Sequence, residues 1–193
     1  MKSDIILAGV GGQGILSIAT KIGYAAVESG LYLKQAEVHG MSQRGGDVQS
    51  NLRISDKEIH SDLIPDGSAD LILSVEPMES LRYLPLLSKN GWVITNSTPF
   101  INIPNYPEQD NIDKAINDLP NKIYLNADKI AKDIGNPRGM NMVIVGAASV
   151  FIDLPFEKME EGIKVVFGRK GESIVEKNLA CLRAGREYSE KNR

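Results

Sequence analysis

The stretch that most limits what this chain can fold into is Ile5-Ile6-Leu7-Ala8-Gly9-Val10-Gly11-Gly12-Gln13-Gly14, followed by a periodic apolar run from Ile15. It reads as a buried strand, a glycine-rich turn and the start of a helix. Gly9, Gly11 and Gly14 fit the spacing G-x-G-x-x-G, with Gly12 as an extra glycine. Without Cβ atoms, such a turn lets backbone come close to a ligand. The helix that follows aims free N–H groups and the positive end of its dipole at the same place, which suits an anion. These residues predict a phosphate-binding corner of an α/β fold. A tight strand-to-helix turn without a ligand is the plain alternative.

The rest of the chain continues in the same alternation. Ile15, Ile18, Ala19, Ile22 and Ala26 keep helical spacing, which predicts a helix over 14–29 closed by Gly30. A strand over 31–38 completes a Rossmann-like β-α-β opening, whose two strands should run parallel. Residues 48–54 alternate apolar and polar, and Ser55-Asp56-Lys57 reads as the turn of a hairpin to Glu58-Ile59-His60. That hairpin would make the sheet mixed. Further strands are expected at 70–75, at 92–96 after an Asn90-Gly91 turn, and at 122–125. Helices are expected from Pro77 to a break at Pro85, then over 110–119, 127–134, 139–152, 156–167 and 173–190. Gly146-Ala147-Ala148 would let the 139–152 helix pack closely. The expected architecture is a three-layer α/β/α fold with a mixed, mostly parallel sheet. It forms a single domain over 1–193, with the helices of about 139–193 packing on it.

Composition narrows the function classes. The net charge of −3 gives no electrostatic reason to expect nucleic acid as a partner. Cys181 is the only cysteine, which excludes an internal disulfide and any Cys-ligated zinc or iron–sulfur site built by this chain alone. A lone cysteine fits a reducing, cytoplasmic setting. No apolar run approaches the ~18 residues of a membrane span and the start is strand-like, so neither membrane anchoring nor a signal peptide is expected.

Two loops carry the candidate chemistry. A dinucleotide site predicts an acid at the end of the second strand, and Glu37 stands 23 residues after Gly14. Yet Glu37 is followed by His39-Gly40-Met41-Ser42-Gln43-Arg44-Gly45-Gly46 rather than by a short turn. Small and polar neighbours leave the Arg44 guanidinium accessible, which suits a phosphate or carboxylate; pairing with a nearby acid to pin the loop is the alternative. His39 is a weak candidate for general acid–base work, because no nucleophile accompanies it. His60 is expected to be solvated, Cys181 to belong to the core, and Asp70, Glu76 and Glu79 to cap helix and strand ends. No metal-ligand spacing occurs.

The motifs G-V-G-G-Q-G-I-L, E-V-H-G-M-S-Q-R-G-G, V-Q-S-N-L-R-I-S and A-D-L-I-L-S-V-E-P, with W-V-I-T-N-S and R-G-M-N-M-V-I-V-G-A later, closely resemble the small, gamma-type subunits of 2-oxoacid:ferredoxin oxidoreductases. The second loop is most similar to the small (beta) subunit of the indolepyruvate form. The resemblance covers almost the whole chain. It implies an accessory subunit of an enzyme that oxidatively decarboxylates a 2-oxoacid to an acyl-CoA and passes electrons to ferredoxin. Thiamine diphosphate and 4Fe-4S clusters would sit on a large catalytic partner, with coenzyme A as co-substrate and no cofactor bound by this chain alone. The resemblance places Gly9, Gly11, Gly12, Gln13 and Gly14, with Met41, Ser42, Gln43, Arg44, Gly45 and Gly46, on the substrate or coenzyme A side of the shared site. Isolated from its partner, such a subunit could form a homodimer through the exposed docking face. A stand-alone Rossmann-type NAD(P)- or nucleotide-binding protein and a nucleotide-sensing module are the competing readings.

Overall fold

The computed structural model describes residues 1–39 and 45–193, and of His39 the backbone alone. Its centre is β1 (Lys2–Val10), in which every residue from Ser3 to Val10 is buried. A strand apolar on both faces needs cover on both faces, and it receives it. α1 (Ile15–Glu28) follows the glycine turn, then β2 (Tyr32–His39), β3 (Asp47–Ser55) and β4 (Ala69–Ser74). After these come α2 (Pro77–Arg82), β5 (Leu87–Asn96), α3 (Gln109–Asn117), β6 (Lys122–Leu125) and α4 (Ala127–Asp133). The chain ends with α5 (Met140–Ala148), α6 (Phe156–Phe167) and α7 (Glu172–Asn192). No helix among the described residues is long and apolar enough to cross a membrane.

The six strands lie in the order β2-β3-β1-β4-β5-β6. β1, β4, β5 and β6 are parallel neighbours, whereas β3 runs antiparallel to both β1 and β2. The sheet is therefore mixed and mostly parallel, as its pattern suggests, but for a different reason. β1 and β2 do share a direction, yet β3 lies between them, so the opening is not a simple β-α-β pair. The hairpin is β2–β3, with His39 opposite Val48, and the expected strand at 58–60 is irregular chain. Physically, a short connection between consecutive strands favours antiparallel neighbours, while parallel ones need a longer crossover.

Odd positions of β1 (Ile5, Leu7) and their neighbours Leu52, Leu71, Leu73, Ile94 and Ile123 face α1, α5, α6 and α7. Even positions (Ile6, Ala8) with Ile72 and Val93 face Ile64, Tyr83 and the 3₁₀ turn Leu84–Leu86 that follows α2. This period-of-two division makes the three layers. α5 ends at Ala148, earlier than its pattern suggests, and is buried from Met142 to Ala148 rather than along one stripe. On the opposite face of the sheet the carboxylate of Asp4, 1% exposed, accepts two hydrogen bonds from Arg53, its cross-strand partner.

Candidate functional site

All five co-directional strands end at one edge of the sheet, and β3 begins there, so the loops that follow gather at that edge. The carboxyl edge beside a change in strand order is where open α/β sheets place ligands. Gly9 still belongs to β1, beneath Val75 and Ile15. The turn itself is held locally: the Gln13 amide donates to the Val10 carbonyl at 3.0 Å, and the Gln13 side-chain oxygen accepts from the Val10 amide at 2.7 Å. Gly12 and Gly14 have φ of 102° and 84°, conformations that favour glycine. At Gly14 a Cβ would also come within 2.7 Å of the Asn141 amide nitrogen. α1 starts directly afterwards, and its first N–H groups have no acceptor within the helix.

The end of the second loop is bonded to this turn. The Gly11 amide donates to the Gly46 carbonyl at 2.8 Å, and the Gly45 amide donates to the Gly11 carbonyl at 3.4 Å. The glycine turn and the last two glycines of the second segment, which the sequence marks separately, are thus bonded to each other. Met41, Ser42, Gln43 and Arg44 lie outside the described residues, as do Gly40 and the His39 side chain. Between the turn, the start of α1 and the β2–β3 hairpin is a cavity of about 240 Å³, lined by Gly11, Gly12, Gly14, Leu16, Glu37 and Val48 among others. Glu37 therefore stands where the strand-two acid was expected. The cavity has a helix N-terminus and open glycine backbone on one side, the donor set suited to an oxyanion.

A third segment joins the site without a sequence signal. The proline-bearing stretch 97–107 reads as plain loop, but Asn102 donates to the Gly45 carbonyl at 2.6 Å. That stretch is itself anchored on Glu76, which is fully buried. The Glu76 carboxylate caps α2 by accepting from the Glu79 amide at 2.8 Å, and also accepts from the Phe100 amide at 3.2 Å and the Tyr106 hydroxyl. Asn141, more than 120 residues away in sequence, donates to the Gln13 carbonyl at 2.8 Å and so steadies the turn from α5. Capping predicts part of the Glu76 role; no local pattern marks Asn102 or Asn141. Asp70 instead accepts from the Asp4 amide, Glu79 pairs with Arg82, and burial raises the pKa of Glu79. His60 is exposed, and Cys181 is fully buried with its thiol pKa raised by burial. Among the described residues no group of His, Cys, Asp and Glu could hold a metal ion.

Three phenols in the layer above the sheet donate to carboxylates: Tyr83 to Asp47, Tyr106 to Glu76 and Tyr124 to Asp113. Burial first, and the adjacent carboxylate second, push each above the ordinary 10.0. Above pH ~10 the unfolded chain releases these protons while the native state keeps them, so the unfolded state binds fewer protons and stability falls as pH rises. Each such phenol should cost about 1.4 kcal/mol per pH unit in that range. Urea midpoints between pH 9 and 11.5 should therefore fall less steeply in Tyr106→Phe than in the parent; an unchanged slope would refute the assignment.

Residues 4–188 match the pyruvate ferredoxin/flavodoxin oxidoreductase family. The chain belongs to this family. Within it, the indolepyruvate oxidoreductase subunit IorB of Archaeoglobus fulgidus is 39% identical over 194 residues, an alignment covering 96% of this chain and 94% of that one. Among solved structures, the gamma subunit of a keto/oxoacid ferredoxin oxidoreductase from Geobacter sulfurreducens superposes with a TM-score of 0.72 at 23% identity, covering 98% of this chain and 99% of that one. A 2-oxoglutarate:ferredoxin oxidoreductase from Magnetococcus marinus, solved with 2-oxoglutarate, coenzyme A and succinyl-CoA bound, gives a TM-score of 0.78 at 18% identity. That match covers all of this chain but 32% of the longer one. At these identities the two structures bear on the fold, which this family member shares with both.

Proposed function

We propose that the chain is the small subunit of an indolepyruvate-type 2-oxoacid:ferredoxin oxidoreductase, and that its 1–193 domain supplies the anion-binding wall of a site completed by a catalytic partner. The observation that carries this is the reciprocal backbone pairing of Gly11 with Gly45 and Gly46, which ties the end of the second loop to the glycine turn beside an open cavity. In this reading Gly11, Gly12, Gln13 and Gly14 present backbone donors to a phosphate of coenzyme A or to the 2-oxoacid carboxylate, Gly9 lets the turn pack, and Arg44 within Met41–Gly46 adds a bidentate cation. Thiamine diphosphate and 4Fe-4S clusters belong on the partner, since Cys181, the single cysteine, is buried and cannot serve as a cluster ligand set. The partner supplies decarboxylation and electron transfer to ferredoxin; this chain binds, orients and excludes water. Leu16, Val38, Phe100 and Ile101 are exposed apolar side chains on the three segments around the cavity, as expected of a face that docks. The same face gives the isolated subunit a route to a homodimer, and the reading places the complex in the cytoplasm.

The test is reconstitution. Mixed with its large subunit, the chain should confer coenzyme A-dependent dye reduction by indolepyruvate, and Arg44→Ala should lower that turnover about tenfold or more, the loss expected for one charge-assisted hydrogen bond. Thermal unfolding of the isolated variant should be unchanged. Tight NAD binding by the chain alone, with no effect on the large subunit's turnover, would overturn the reading.

A further inference from the structure

A second cavity, of about 360 Å³, opens where three helices begin. Ser17 comes from the first turn of α1, Asn141 and Met142 from the first turn of α5, and Ile174 from the first turn of α7. The amides of Ser17, Met142 and Ile174 are taken by the carbonyls of Gly14, Gly139 and Gly171, so what the three starts bring to the cavity is the positive end of a dipole. Arg138 and Lys170 add two side-chain cations to the wall, and no Asp or Glu lines it. Glu172, in the first turn of α7, is exposed and stands outside the lining.

Behind this wall lies a third cation. Lys21 is 2% exposed, its ammonium held by the Ser17 carbonyl at 2.8 Å and the Ser17 hydroxyl. It lies 5.0 Å from the centre of the Phe167 ring, which Lys170 approaches at 5.4 Å. Buried cations ordinarily carry a carboxylate, as Arg53 does with Asp4. Among the described residues none of Lys21, Arg138 and Lys170 does so. Burial and the charge of Lys170 lower the Lys21 ammonium from 10.5 to about 8, so a counter-charge here would relieve a cost the fold now bears. Met142, Phe167 and Ile174 give the cavity an apolar side.

We propose that this cavity binds a phosphorylated small molecule with an apolar body. The oxyanion answers Arg138, Lys170 and the converging helix dipoles, and the apolar side takes the body of the ligand. A nucleoside monophosphate has both features. The site is distinct from the cavity at the glycine turn, with which it shares no lining residue.

Titration of the full chain with AMP, inorganic phosphate and sodium chloride at matched ionic strength tests this. AMP should bind saturably and raise Tm by about 5 °C at a hundredfold excess over Kd, phosphate should bind more weakly, and chloride should do nothing. Arg138→Glu combined with Lys170→Glu changes two exposed side chains, so the variant should fold, and it should weaken AMP binding at least tenfold. Equal stabilisation by chloride, or unchanged AMP affinity in that variant, overturns the proposal. Loss of AMP binding in Gly12→Val with retention in the double variant would place the ligand at the glycine turn instead, and would overturn it too.

Discussion

Alanine at Gly146 or Gly185 is expected to destabilise the protein by about 3 kcal/mol or more, a large part of the stability of a domain this size. A Cβ on Gly146 would lie 1.9 Å from the Leu182 carbonyl oxygen, and one on Gly185 would lie 1.9 Å from the Val143 carbonyl oxygen. Both obstacles are backbone, so no rotamer change relieves them; α5 and α7 must separate. α5 cannot yield toward the sheet, because Met142 to Ala148 are already buried against its neighbours. The two glycines are opposite sides of one crossing, so the double variant should cost clearly less than the sum of the singles once the helices have parted. Gly168→Ala is the control: with φ −53° and open space around it, it should be neutral or stabilising by about 0.5 kcal/mol. Urea midpoints followed through Trp92, whose ring lies 4.5 Å from that of Phe151, would decide the matter. A Gly146→Ala protein within 0.5 kcal/mol of the parent would mean that the crossing is looser than this.

Gly146 was legible in the sequence, whereas its partner Gly185, in a charged stretch of the last helix, was not. The same division runs through the molecule. Where one face of an element repeats on the helical or strand period, as in α1, β4 and α6, the pattern identifies it. Where an element owes its place to distant chain, the pattern misleads. Asn90-Gly91 reads as a turn, but β5 begins at Leu87 and runs through it, with a register shift against β4. Gly91 is there because the Leu87 side chain and the Ala69 carbonyl come within 2.5 and 2.8 Å of where a Cβ would stand. The β2–β3 hairpin was missed because its connection is long, polar and glycine-rich, and such a segment looks alike as a hairpin connection and as a binding loop. Lys21 gives no sign of burial either, since nothing local shows that Phe167 will cover it. At the site itself, the two glycine segments were readable from composition, but the bonds joining them to Asn102, Asn141 and Glu76 depend on contacts across the whole chain.

Glu76→Ala should be the second large effect, and the one that links stability to the site. The carboxylate sits at the carboxyl end of β4 with no solvent exposure, and three donors converge on it: the Glu79 amide at the start of α2, the Phe100 amide and the Tyr106 hydroxyl. Truncation leaves all three without their acceptor in a space from which water is excluded. At about 1–3 kcal/mol for each buried unsatisfied group, and allowing for partial relaxation, a loss of about 3 kcal/mol follows. Glu76→Gln retains one acceptor oxygen but turns an NH₂ toward donors, so an intermediate loss is expected. The consequence should not stop at stability. Phe100 and Tyr106 hold the 97–107 segment, Asn102 of that segment holds Gly45, and Gly45 and Gly46 hold Gly11. Under conditions where Glu76→Gln remains folded, the reconstituted enzyme should show a raised KM for coenzyme A, while Asp4→Asn, which weakens a pair near the amino end of β1, away from the loop edge, should lose stability with KM unchanged. If both variants lost stability equally and neither changed KM, the 97–107 segment would be a structural strap rather than a wall of the site.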